Sequence, residues 1–398
     1  MSLPKYKSLS NGNNYQKPKY KDKYNSPNTS YNSHKIQKYS QTLPWMQLRN
    51  IYSQEPIIRL HEEILDAYTY LKPSTIEYTM RVDLVNRIKT MINDVWPNAL
   101  VEVFGSFKTG LYLPTSDVDI VLIGKWEALP LWTLKEIILK CDFSYTKDIQ
   151  VLNNAAVPIV KFTDKKTRLN VDISFNMVNG IASCHLINEF TEKYPILRPL
   201  IVVLKQFLIQ RQLKEVFTGG LSSYSLILMI LNFIQNNQRL QQDLAREDVS
   251  QINLGVLLIE FFEMFGRHFN YHGAGIRVNI SNLDNADYST SIRQSYYYFP
   301  KQEFAIYKSS AGRTSLLCIQ DPLIEEHDTA KSSYAFAKVH RAFLMAYVIL
   351  SRSLLPTFYA RDARQSCDSI LGQIIQIPEE MKSYRRWVNN NYKSDHDI

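Results

Sequence analysis

The sequence lacks several features that would place it in a specialised class of protein. It has four cysteines, at positions 141, 184, 318 and 367, and their scattered spacing argues against a zinc cluster or a disulfide framework. No apolar run reaches the roughly 20 residues that a membrane span needs. The polar N-terminus shows no signal peptide, and there is no internal repeat. We therefore expect two or three soluble domains in a reducing compartment.

Acidic residues are nearly missing from residues 1–44. This segment has eight lysines and a single acid, Asp22, so it holds almost all of the formal net charge of +8. Tyrosines alternate with the lysines, a composition that could follow a phosphate backbone and stack on bases. A disordered arm that only keeps the protein soluble would have the same composition. Both interpretations stay open, and the rest of the chain is close to neutral.

The chain does contain an acidic pair that opens an apolar strand, in VFGSFKTGLYLPTSDVDIVL at 103–122. Alternation along a strand puts Asp117 and Asp119 on one face and Val118 on the other. Apolar residues follow on both faces, as in an interior strand whose exposed end presents two carboxylates. Adjacent carboxylates repel each other, and a divalent cation removes that conflict. Mg²⁺ prefers such oxygen ligands together with substrate phosphates, so the pair suggests Mg²⁺ with a nucleoside triphosphate.

Three neighbouring features strengthen this interpretation. Gly105 lets a backbone pass close to a ligand, and Ser106 offers a hydroxyl and an amide to a phosphate. Asp172, in the strand-like segment 168–176, could pair beside the first strand and complete a set of three carboxylates. Three carboxylates around two metals are the usual equipment for in-line displacement at phosphorus. An isolated Asp-x-Asp is most often a turn and an isolated Asp172 would cap one, but together they predict a nucleotidyl-transfer site.

Hydrophobic periodicity predicts a mixed sheet flanked by helices, followed by a mostly helical region. Helices are predicted at 55–71, from the cap Ser74 to 96, at 130–140, 201–209, 225–234, 254–271 and 333–351. Strands are predicted at 100–104, from 117, at 155–163, 168–175, 276–280, 303–307 and 315–319. The end of the chain is predicted to be polar and loosely held.

Three residues of the helical region could meet a nucleotide. Lys205 interrupts a helix that is apolar nearly all round, so its ammonium needs water or an anion such as a phosphate. Ser223 lies at a helix N-terminus, which suits a phosphate, and Tyr224 offers a ring to a base. The structural alternatives are a lysine that reaches solvent, an ordinary serine cap and a core tyrosine.

Together these segments resemble the noncanonical poly(A) polymerases of the Trf type, from the TRAMP complex, within the DNA polymerase β-like nucleotidyltransferases. The matching blocks are FGSFKTGLYLPTSDVDIVL, VDISFNMVNG, LKQFLIQRQLKEVFTGGLSSYSL, GVLLIEFFEMFGRHFNY and DPLIEEHDTAKSSYAF, in the family's order. The resemblance implies an α+β fold with a polymerase β-like nucleotidyltransferase domain and a mostly helical central, or PAP-associated, domain. The implied domains are a disordered basic tail at 1–44, an N-terminal helix on the central domain at 45–73, the catalytic domain at 74–180, the central domain at 181–355 and a polar C-terminal segment at 356–398.

The resemblance also implies template-independent addition of AMP from ATP to RNA 3′ ends, in RNA surveillance, processing or turnover. Asp117, Asp119 and Asp172 would be the catalytic ligands of Mg²⁺, or of Mn²⁺ in its place. The nucleotide contacts would be Gly180, Lys205, Ser223 and Tyr224. Such enzymes typically borrow RNA recognition, which implies an adaptor such as a zinc-knuckle protein, together with an RNA helicase. Lysine-rich stretches in the tail permit nuclear import, so we expect the nucleus rather than the cytoplasm.

Two positions depart from the adenylating members, and the first bears on the choice of nucleotide. Those members usually carry asparagine where this chain has His327 and arginine where it has Lys331, whereas related uridylyltransferases tend to have the histidine. An imidazole can donate or accept a hydrogen bond at a base edge. We expect ATP as the substrate, with a terminal uridylyltransferase or mixed-nucleotide tailing enzyme as the alternative. A second alternative is an inactive scaffold that binds RNA or a partner, which the three repelling carboxylates oppose.

Overall fold

The computed structural model describes residues 43–49, 51–155, 157–245, 252–280, 298–301, 316–355 and 369–392. The basic tail, apart from its last two residues, and the strand expected at 303–307 lie outside these ranges and stay predictions. The helices are α1 Pro56–Leu71, α2 Thr75–Val95, α3 Gly105–Thr109, α4 Leu131–Lys140, α5 Val178–Lys193, α6 Leu197–Ile209, α7 Ser223–Asn236, α8 Gln238–Ala245, α9 Leu254–Glu263, α10 Phe336–Ser353 and α11 Glu379–Asn391. The strands are β1 Leu100–Phe104, β2 Val118–Ile123, β3 Gln150–Leu152, β4 Ile159–Thr163, β5 Asn170–Phe175, β6 Ala274–Ile276 and β7 Tyr298–Pro300. None of the helices in these ranges has the length and apolar character that crossing a bilayer requires.

The first half of the described chain contains a five-stranded mixed sheet in the order β1-β2-β5-β4-β3. The central pair β2 and β5 is parallel, and the other pairs are antiparallel. Alternate residues of β2, among them Val118 and Ile120, are fully buried in a core shared with α2 and α4. The predicted α+β class and the interior position of the aspartate-bearing strand are confirmed.

Helix α2 begins where the sequence predicts it. The Ser74 side chain accepts a hydrogen bond from the Glu77 amide, and the Glu77 carboxylate accepts one from the Ser74 amide. This capping box satisfies two amides that have no partner within the helix. The start of α2, directly after the Pro73 turn, is therefore set by local sequence.

A second hydrophobic core contains α1 together with α6, α7, α9 and α10. Helix α6 is buried on all sides, as the apolar sequence at 201–209 predicts. The helix predicted at 254–271 instead ends at Glu263 and continues as a π-helical turn, Met264–His268. At Gly266 a Cβ would lie 2.6 Å from the Leu344 amide, so the turn depends on glycine to approach α10 this closely.

The prediction of a loosely held chain end is wrong for residues 369–392. Leu371 and Ile375 are fully buried in the same core as α1, and Val388 of α11 is fully buried in the core of the sheet domain. Helix α11 presents only a narrow apolar stripe among many polar residues, so its sequence looks like that of a solvated segment. The C-terminal segment therefore contacts both cores.

Candidate active site

The two parallel central strands bring the predicted carboxylates together. Asp119 of β2 is the direct register partner of Asp172 of β5. Asp117 immediately precedes β2 and lies on the same face as Asp119. Its Oδ1 accepts a hydrogen bond of 3.3 Å from Nδ2 of Asn170, which is at the start of β5. Three acidic residues thus meet at one end of the sheet.

Burial and mutual repulsion both disfavour the charged forms of the carboxylates in this cluster. Burial, followed by the nearby charges of Asp172 and Asp117, raises the pKa of Asp119 to about 7. Burial also raises the pKa of Asp172, although an ion pair with Lys161 acts in the opposite direction. In the described ranges, no three acidic, histidine or cysteine side chains are arranged to hold a metal as they stand. The Asp172 carboxylate is turned to Lys161 and the Asp117 carboxylate to Asn170, so closing around an ion requires these side chains to rotate.

Gly105 allows the backbone to approach Asp119 closely. It has a left-handed φ of +67°, and a Cβ at this position would lie 2.2 Å from Asp119 Oδ2. Its amide donates a hydrogen bond of 3.0 Å to Cys184 Sγ. Gly105 opens the short helix α3, in which Ser106 is the partly buried second residue. Gly105 is thus required by space as well as by backbone conformation.

Lys205 does not reach solvent. Its side chain is buried with 2% exposure, and its Nζ donates a hydrogen bond of 2.5 Å to the carbonyl oxygen of Leu111, in the segment that leads to Asp117. Burial lowers the pKa of Lys205 to about 7, and the positive charge of Lys214 adds to the effect. Lys214 also interacts electrostatically with Asp119 and Asp172, so a second lysine lies near the carboxylates.

A second group of predicted residues meets around Asp321. Tyr224 donates a hydrogen bond of 3.2 Å from its hydroxyl to Asp321 Oδ1, and His327 Nδ1 lies 3.0 Å from Asp321 Oδ2. The hydrogen bond to Asp321 raises the pKa of His327, whose side chain is 55% exposed. Ser222, rather than Ser223, caps helix α7 by accepting a hydrogen bond from the Ser225 amide. Ser223 is the first residue of α7.

Helix α5 connects the carboxylates to this second group. Cys184 contacts Gly105 beside Asp119, and Ser183, one residue earlier, hydrogen-bonds with Tyr224. Gly180 lies one turn before them, where a Cβ would be 2.8 Å from the ring of Phe104. Packing against Phe104 accounts for the glycine at 180, and its contact with a nucleotide stays a prediction. Helix α5 therefore contacts both groups of predicted residues.

Sequence reasoning missed four residues of this site, namely Asp321, Lys161, Lys214 and Cys184. Alternation along the strand 155–163 could have placed Lys161 on the carboxylate face once the strand pairing was known. Asp321 opens the block DPLIEEHD, but no local pattern shows that it contacts Tyr224, almost one hundred positions earlier. Partners this distant in sequence become visible only when the chain is folded.

Family models match both halves of the chain. The model described as poly(A) RNA polymerase, mitochondrial-like, central palm domain matches residues 60–192. The model described as Cid1 family poly A polymerase matches residues 253–327. The first range contains all three carboxylates, and the second contains Asp321 and His327.

Two curated relatives are similar over most of this chain. Poly(A) RNA polymerase cid14 of Schizosaccharomyces pombe is 34% identical over 96% of this chain and 54% of its own length. The protein named inactive non-canonical poly(A) RNA polymerase protein Trf4-2, of Drosophila melanogaster, is 32% identical over 88% of this chain and 82% of its own length. This chain spans about half the length of the first two curated relatives that it matches, 54% of one and 45% of the other.

Solved structures agree with this similarity. The polymerase core of TRAMP, a RNA surveillance complex, superposes with a TM-score of 0.72 and 30% identity, covering 84% of this chain and 99% of that one. A crystal structure of the Cid1 poly(U) polymerase with Mg and 3′-dATP bound superposes with a TM-score of 0.59 over 73% of this chain and 94% of that one. At 20% identity, the second likeness concerns the fold alone.

Proposed function

The chain belongs to the noncanonical poly(A) RNA polymerases, and from this premise we propose that it adds AMP from ATP to RNA 3′ ends without a template. The single observation that carries the proposal is the pairing of Asp119 with Asp172 on adjacent parallel strands, with Asp117 on the same face. Carboxylates this close together repel each other unless a cation is present, and a metal-dependent transferase needs such a cluster to hold its metal.

The carboxylates suit a divalent metal because all of their donors are oxygens. Burial, together with the neighbouring charges of Asp172 and Asp117, raises the pKa of Asp119, and a bound cation would offset both effects. Asp117, Asp119 and Asp172 would hold Mg²⁺, with Mn²⁺ as the alternative. When bound, such ions lower the pKa of an attacking hydroxyl and neutralise a pyrophosphate leaving group. The protein itself aligns the three carboxylates through the strand register and holds Asp119 against Gly105.

The remaining residues would bind the nucleotide from two sides. Lys205 and the α7 amide at Ser223 would face the triphosphate, since a buried ammonium and a helix N-terminus both favour anions. Ser106 would add a hydroxyl beside Gly105. Tyr224, held through its hydroxyl by Asp321, would offer its ring to the base.

His327 gives a specific reason to keep uridylyl transfer as the second candidate. Asp321 engages Nδ1 of the imidazole, which leaves Nε2 to face a ligand. Neutral His327 would then present an acceptor, which suits the amino group of adenine. Protonated His327 would present a donor, which suits an oxygen of uracil. Because Asp321 raises the pKa of His327, a larger fraction of this histidine is protonated near neutral pH.

We also propose that the chain works with partners. The relative that forms the polymerase core of TRAMP belongs to a RNA surveillance complex. For this chain we infer an RNA-binding adaptor, such as a zinc-knuckle protein, together with an RNA helicase and nuclear residence. Outside residues 1–44 the chain is close to neutral, so a partner would supply much of the phosphate affinity.

The test is extension of a short labelled RNA by the purified full chain with Mg²⁺ and one nucleoside triphosphate at a time, followed on a sequencing gel. We expect AMP to be incorporated most efficiently. Incorporation of UMP well above AMP would select the uridylyltransferase. No extension by wild-type protein, even with a zinc-knuckle adaptor added, would select the inactive scaffold, which the name of the Drosophila relative makes a concrete alternative.

A further inference from the structure

Lys161 lies in the same row of side chains as two of the carboxylates. The strand register places Phe104, Asp119, Asp172, Lys161 and Gln150 side by side across the five strands. Directly opposed residues of neighbouring strands point to the same face of a sheet. The residue next to Asp172 on the side away from Asp119 is therefore a lysine.

The lysine is in direct contact with the carboxylate. Nζ of Lys161 forms an ion pair with Oδ2 of Asp172, and the two side chains are 27% and 18% exposed. Lys205 donates its hydrogen bond to a carbonyl oxygen instead, and Lys214 acts on the carboxylates electrostatically without forming an ion pair in the described part of the chain. Among the described residues, Lys161 is thus the cation that touches the carboxylate cluster.

We propose that Lys161 is a positioning residue that serves as the resident cation of the metal-free site and is displaced from Asp172 when a divalent metal binds. An ammonium and a dication repel each other at one carboxylate oxygen, so the two compete for Asp172. This competition would weaken metal binding in the absence of substrate. In the metal-free protein, the ammonium of Lys161 would reduce the repulsion among the three carboxylates and so favour the folded state. The inference rests on the proposed function only in taking the three carboxylates as the metal ligands.

The same structure offers a matched control. Lys165 forms the same kind of close ion pair with Asp142, whose side chain is 82% exposed and which is not one of the three carboxylates. Lys165 itself is exposed to a similar degree as Lys161, 24% against 27%. Loss of a lysine charge at either position changes the net charge of the protein equally, so only a local effect distinguishes them.

The first experiment measures Mn²⁺ binding to the purified full chain without nucleotide or RNA, with free Mn²⁺ followed by electron paramagnetic resonance. We expect Lys161→Met to bind Mn²⁺ about fivefold more tightly than wild type, the factor that corresponds to a partly exposed ion pair. Lys161→Arg and Lys165→Met should bind as wild type does. Unchanged or weaker binding by Lys161→Met, or no Mn²⁺ binding by wild type, would overturn the inference.

The second experiment measures urea unfolding in EDTA and in saturating Mn²⁺. Lys161→Met should be less stable than wild type in EDTA, because the carboxylates have lost their cation, and the difference should disappear in Mn²⁺. Equal stability in EDTA would count against the inference, as would a deficit that persists in Mn²⁺. Should Lys161→Met not fold, Lys161→Gln takes its place in both experiments.

These results are separable from the function itself. A wild-type protein that shows the expected metal competition but extends no RNA would defeat the proposed function and leave the role of Lys161 intact. A wild-type protein that extends RNA, with Lys161→Met binding Mn²⁺ no more tightly, would leave the function and defeat this role.

Discussion

Replacement of Gly105 by alanine should separate catalysis from folding. The new Cβ would lie 2.2 Å from Asp119 Oδ2, where a non-bonded contact needs more than 3.0 Å. The carboxylate must therefore move by about 1 Å, a misplacement that commonly costs about a hundredfold in rate. The φ of +67° adds strain of about 1 kcal/mol for any residue with a Cβ. We expect about a hundredfold loss in kcat/KM for RNA extension and only a modest loss of stability.

Gly110→Ala is the matched control for that experiment. Gly110 has nearly the same φ, +68°, but its added Cβ would meet only Arg198 Nη1 at 3.5 Å, an ordinary contact. Both variants should lose about 1 kcal/mol in urea unfolding, whereas only Gly105→Ala should lose most of its extension rate. Near-normal extension by Gly105→Ala, or an equal loss in both variants, would refute the reasoning.

Three further predictions concern charge. In EDTA, Asp119→Asn should be more stable than wild type by at most about 4 kcal/mol. The folded pKa of Asp119 is raised from 3.8 to about 7, so wild-type stability falls as pH rises through this window. Unfolding measured at a series of pH values should show the stability difference between the two proteins widening across the window and then levelling off. His327→Asn should raise the ratio of AMP to UMP incorporated, while in wild type the UMP share should grow as pH falls through the raised pKa of His327, as single-nucleotide incorporation rates will show. Arg385→Ala should lower the free energy of unfolding in urea by about 3 kcal/mol, because it leaves the buried Glu77 carboxylate without its ion-pair partner. Arg386→Ala, at an exposed position, should lower it by almost nothing.

The aspartate-bearing strand β2 and its flanking helices were predictable because their signals are local. The Ser74 cap, the apolar alternation around Asp119 and the apolar run of α6 each lie within one element. Periodicity and capping act over a few residues, so a single sequence contains them. The resemblance to the Trf-type polymerases, made from the blocks around these same elements, is confirmed by the comparisons.

Features that depend on contacts between distant segments were not predictable. Tyr224 meets Asp321, and Glu77 meets Arg385 more than three hundred positions later. The burial of α11 was missed because the two cores, rather than its own pattern, supply the partners of its few apolar side chains. Lys161 was missed for a similar reason, since its position beside Asp172 follows from the antiparallel register of β4 and β5.

The proposed function is nucleotidyl transfer to RNA by three carboxylates that meet at one end of the sheet, Asp117, Asp119 and Asp172. Its most direct test compares wild type with Asp119→Asn in RNA extension with ATP and Mg²⁺, after unfolding curves have established that both proteins are folded. We expect extension by wild type and none by Asp119→Asn, despite equal or greater stability of the variant. Extension by Asp119→Asn at a rate near that of wild type would contradict it.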